Sequence, residues 1–150
     1  MARSFRIVLA LTLLLALTIG VASTATAGGP KVLDSTMAGM PVPNTVLNGV
    51  TGAGAPWQIA SGKVQLFEDG RIHVNVVGLV IPGRDPGNPV AEGKAVVTCG
   101  DAIVDDTALV PFSPEGNATI DDVVTLPDLC QAPAVFFTNA GNRWFAVTGF

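Results

Sequence analysis

From Pro56 onward the sequence is a succession of short β-prone runs cut by turn residues at intervals too brief for a helix of ordinary length. The clearest unit is "KVQLFEDGRIHVNVV". Asp69 and Gly70 stand between two such runs, and Asp-Gly suits the positive-φ positions of a type I′ hairpin turn. Ile72, Val74 and Val76 alternate with His73 and Asn75, the two-residue period of a half-buried strand. "PGRDPGNP", Pro82 to Pro89, is too rich in Pro and Gly to be anything but a loop. "GKAVVTC" reads as a strand with Ala95, Val97 and Cys99 on one face. "AIVDDTALVPF" supplies one or two more, "PEGN" a turn, and "ATIDDVVTL" a strand with Ile120, Val124 and Leu126 inward. In "PAVFFTNAGNRWFAVTGF" two runs flank a turn at Asn139 to Asn142, so the apolar last segment is the return strand of a hairpin. The pattern predicts an all-β domain, an antiparallel β-sandwich, immunoglobulin-like or similar, of seven to nine short strands.

The beginning of the chain has a different character. Arg3 and Arg6 precede an apolar run of 15 residues, Ile7 to Val21, shorter than the roughly 20 a membrane span needs. "ATA" at Ala25 to Ala27 is a small-residue cleavage site, so residues 1–27 read as a secretory signal with cleavage between Ala27 and Gly28. Residues 28–44, rich in Gly, Pro, Ala and Thr, read as a flexible leader, followed by a short strand at Thr45 to Val50. The β-domain is then expected over residues 45–150, in a secreted or periplasmic protein.

Compartment and charge narrow the function classes. Without residues 1–27 the chain keeps six basic against twelve acidic residues, and no basic cluster offsets that excess, which disfavours nucleic acid. Cys99 and Cys130 are 31 positions apart, with no CxxC character, and in an oxidising compartment they are expected to form one structural disulfide.

Candidate chemistry is sparse. His73 is the only histidine and lies mid-strand on the face opposite Ile72 and Val74. No nucleophile elbow surrounds Ser35, Ser61 or Ser113. Asp101, Asp105, Asp106, Asp121 and Asp122 are the carboxylates a hard cation would use, but neighbours on a strand point to opposite faces, and the expected role is solvated edge charge. Met37, Met40 and His73 are the soft-metal alternative, a copper-handling site. An outer-membrane barrel would end on a terminal Phe but also carry aromatic girdles, and the chain has no Tyr. Asn117-Ala118-Thr119 is a glycosylation sequon at a turn.

"LPDLCQAPAVFFTNAGNRWFAVTG", with "PWQIASGKVQLFEDGRIHVNVVGLVI" upstream, resembles a group of small exported bacterial β-domain proteins to which no activity is attached. The likeness covers Val46 to Phe150. It implies export, a compact β-domain and a disulfide, and carries no catalytic residue. The strand rhythm also resembles that of chordin-type secreted β-domains, whose paired-histidine motif "RIHVNV" lacks. The expectation is a secreted, non-enzymatic binding or cell-envelope module without cofactor, whose partner is a protein or envelope component; the alternatives are copper handling and an enzyme with an unrecognised site.

Overall fold

The computed structural model describes residues 29–149; the signal segment 1–27, its cleavage position at Ala27–Gly28 and Phe150 lie outside them. The described residues form strands, turns and loops without a helix, the all-β class expected. The strands are β1 (Lys31–Gly39), β2 (Val46–Leu47), β3 (Val50–Thr51), β4 (Ser61–Phe67), β5 (Arg71–Val77), β6 (Glu92–Cys99), β7 (Ala102–Asp106), β8 (Val110–Pro111), β9 (Ala118–Val123), β10 (Pro133–Thr138) and β11 (Trp144–Thr148). Three of these are two-residue pieces, β2, β3 and β8, which leaves eight longer strands. One curled sheet runs in the order β7-β6-β10-β11-β1-β4-β5-β9, with β8 also on β6 and a separate β2–β3 ribbon.

The curl originates in β1, where the leader expectation fails. Lys31 to Thr36 pair with β4, while Met37 to Gly39 pair with β11. One strand thus belongs to both halves of the sheet, which fold over a common core. The domain begins near residue 31, not 45. The breakers that suggested a leader sit at the two ends, Gly28 to Pro30 and Gly39 to Pro43, and "KVLDSTMA" between them is an unbroken strand sequence that window composition conceals.

The Asp69–Gly70 hairpin forms, but with another turn. Its loop has three residues, Glu68 to Gly70, and of these Gly70 alone has positive φ, +85°. Gly70 N–H donates to the Phe67 carbonyl at 3.0 Å, and the Asp69 carboxylate accepts from the Arg71 N–H and Nε. This is the three-residue hairpin with glycine in the left-handed position. The two-residue turn with both positions at positive φ occurs instead at Asn48-Gly49, φ 46° and 74°, where it joins β2 to β3.

Burial differs between the halves. Along β4, β5 and β9 it alternates as expected: Val64, Leu66, Ile72, Val74, Val76, Ala118 and Ile120 are buried and their neighbours face out. In β6, β10 and β11 both faces are covered, and all five residues of β11 are buried. One side of that half carries Trp57, Phe112, Phe137 and Phe145, packed ring to ring at 4.3–6.5 Å. On the other, Phe136 meets Trp144 edge-on at 5.8 Å. The segment after β1 covers that side, with Trp144 Nε1 donating to the Thr45 carbonyl and Asn48 Nδ2 to Thr98 Oγ1. Such covering explains the consecutive apolar residues of "AVVT" and "VFF". The sheet is not closed into a ring: among the described residues no strand pairing joins its ends, β7 and β9.

Candidate functional site

The strand register lays the polar residues of β1, β4, β5 and β9 in rows across the exposed face. One row is Asp34, Gln65, His73 and Asp121; the next is Thr36, Lys63, Asn75 and Thr119. His73 Nδ1 lies 2.5 Å from Asp121 Oδ1 and both side chains are substantially exposed. This pair fixes the imidazole, but the register neighbours of His73 are Gln65 and Asp121, so no serine or thiol stands beside it. Two of the three serines named from the sequence are engaged elsewhere: Ser35 donates to the Thr36 carbonyl, and Ser113 Oγ accepts from the Asn117 N–H. Asp34 pairs with Lys31 and Lys63, and these ammonium groups, Lys31 foremost, hold its carboxyl well below the usual range.

The soft-metal constellation does not assemble. Met37 and Met40 are both buried in the core, facing Gly62 and Gly52 respectively, whereas His73 points from the opposite, outer face of β5. The five aspartates do not converge either, and among the described residues no group of three His, Cys, Asp or Glu is placed to hold a cation.

Two of those aspartates have a role that the reading as solvated edge charge missed. Asp105 accepts from the Asp106 and Thr125 N–H groups, and Asp122 from those of Val123 and Ala108. These bonds tie the segment around β7 to the end of β9, where the curled sheet lacks strand pairing. The Thr125 N–H foremost, then that of Asp106, lowers the Asp105 pKa. Asp106 pairs with Lys94 at 2.6 Å, and Asp101 is exposed in the β6–β7 turn. Asn88, buried in the Pro82–Pro89 loop, donates to the Val90 and Ser113 carbonyls and accepts from the Val90 N–H. In the sequon, Asn117 is exposed and its Oδ1 accepts from the Gly78 N–H at 2.9 Å.

Cys99 and Cys130 are joined, as expected, with Cα atoms 5.1 Å apart. The bond fastens the end of β6 to the loop that precedes β10. Beside it a groove of about 490 Å³ runs between the start of β1 and that loop, lined by Val32, Glu68, Leu126, Pro127, Leu129 and Cys130 among others. A second cleft of about 320 Å³ includes Phe67, Arg71, His73, Asp121 and Val123. The two flank Phe67–Glu68, at the start of the β4–β5 turn. Arg71 stacks over the Phe67 ring at 4.6 Å.

Compared with known proteins, the chain matches no family model, no curated protein and no solved structure.

Proposed function

We propose that the protein is an exported, non-enzymatic binding or structural module of the cell envelope. The observation that carries this reading is the use of its reactive side chains. His73, Asp105, Asp106, Asp121 and Asp122 bond neighbouring strands and loops, while both cysteines are spent on a cross-link. A disulfide persists in an oxidising compartment, which supports export, as does the signal-like start of the chain. What such a frame offers a partner is surface, including the grooved end beside Cys130.

A pull-down from the envelope fraction of the producing cell, with the exported protein as bait, tests the reading. Retention of an envelope component is the expected result. Near-stoichiometric copper in the purified protein, or a hydrolytic activity abolished by His73→Ala, would overturn it.

A further inference from the structure

Asn117 is the one asparagine of the chain with Ser or Thr two places after it, and such a triplet is the acceptor of an N-linked glycan. Triplets of this kind also arise by chance, so the surroundings of the side chain decide. Asn117 is exposed, at the end of the turn before β9. Its Oδ1 accepts from the Gly78 N–H, while its Nδ2 has no partner among the described residues. Replacing one Nδ2 hydrogen by a sugar therefore breaks no bond of the folded domain, and the amide oxygen keeps the Gly78 N–H. By contrast, Asn48, Asn75 and Asn88 each donate through Nδ2, to Thr98, Thr119 and Val90. Glu115, two residues ahead of Asn117, adds a carboxylate that a cationic transferase groove can hold.

The fold leaves room for the sugar and time for its transfer. Beside Asn117 runs a cleft of about 390 Å³, lined by Asn75, Val77, Pro111, Ser113 and Thr119 among others. Val77 is exposed, and with Pro111 it offers apolar surface that the C–H face of a pyranose covers. A transferase takes its acceptor as an extended segment, whereas the folded turn is tied back on itself, Ser113 N–H to the Asn117 carbonyl and Gly116 N–H to that of Ser113. The sequon precedes β10 and β11, without which the core shared by the two halves is incomplete. In an exported chain Asn117 therefore emerges while the domain is still open. β9, which begins at the next residue, ends the sheet, and an end strand invites pairing with another chain. A bulky polar group at its start obstructs that pairing.

We propose that Asn117 carries an N-linked glycan, transferred during export from an oligosaccharide borne on a polyprenyl diphosphate. The bond formed joins Nδ2 to the anomeric carbon of the first sugar. That carbon's bond to the diphosphate breaks, the diphosphate leaves with the electron pair, and the amide gives up one proton. The proposal rests on the reading of the protein as exported and goes beyond it in naming a covalent modification. The test is the mass of the protein exported by its own producing cell, measured intact and on the peptide that contains Asn117. Both should exceed the polypeptide mass by at least one sugar residue. Thr119→Ala, which leaves Asn117 in place, should lose the added mass completely, and Thr119→Ser, which restores the hydroxyl, should retain it. Should the Ala variant fail to fold, the Asn117 peptide of the parent decides alone. An exported protein of unmodified mass, an added mass on another residue, or one that survives Thr119→Ala overturns the glycan and leaves the envelope module standing. A chain found in the cytosol with free thiols overturns both.

Discussion

A methyl group at Gly116 would stand 2.2 Å from the Leu79 carbonyl oxygen, on a backbone whose φ is already +83°. Gly83 has a similar φ, +74°, but open space around it. Gly116→Ala should therefore cost about 2 kcal/mol or more and Gly83→Ala about 1 kcal/mol, and thermal unfolding of the two variants separates contact from conformational strain. Asp105 makes a second prediction at this scale. Its pKa is lowered from 3.8 in the folded protein, so its contribution is full above the unfolded value and lost as the pH falls through the lowered folded one. Asp105→Asn replaces one of the two accepting oxygens with a donor. The variant should lose about 1 kcal/mol at neutral pH, allowing for solvent screening, and show a shallower acid destabilisation below pH 3.8. None of this was legible in the residue types alone. Asp105 and Asp122 read as edge charge, and Asn88 as a loop residue, because the carbonyls and N–H groups they bind come from distant segments whose approach depends on the fold.

The strands were more legible than their turns and borders. The period of β5 and the final hairpin follow from local pattern, since alternation and turn residues act within a few positions. β1 was hidden because its evidence is its partners, β4 and β11, which lie far along the chain. The turn at Gly70 took its three-residue form although Asp-Gly fits a two-residue one, and a Cβ there would sit 2.0 Å from the Val124 carbonyl oxygen, so packing against the end of β9 constrains it. At this scale β11 is the decisive element. It lies between β10 and β1, and burial of Trp144, Phe145 and Val147 contributes about 1.5–3 kcal/mol each, against the 5–15 kcal/mol of net stability usual for a domain. Deletion of Arg143 to Phe150 should abolish cooperative unfolding; a truncated form melting within about two degrees of the parent would contradict the burial seen here. The Cys99–Cys130 bond closes a loop containing β7, β8 and β9, and its reduction should cost about 3–4 kcal/mol. Denaturant midpoints of the oxidised and reduced forms measure that loss.

For the whole molecule, the expected chemical consequence of export is a mature chain beginning at Gly28, carrying no free thiol, and intact mass with thiol titration of the exported protein checks both together. The all-β class was readable because it needs only the density and spacing of breakers. The curled arrangement was not, since it depends on a single strand exchanging one neighbour for another halfway along its length. That exchange bears on time as well as shape. β1 is made first among the strands and β11 last, yet they are hydrogen-bonded neighbours. A growing chain therefore carries a strand whose second partner has not been synthesised, and the two halves of the sheet cannot join before β11 has been made. A polypeptide that must thread through a secretion channel before it folds gains from that delay, because the pairing that unites the two halves waits for β11 to emerge.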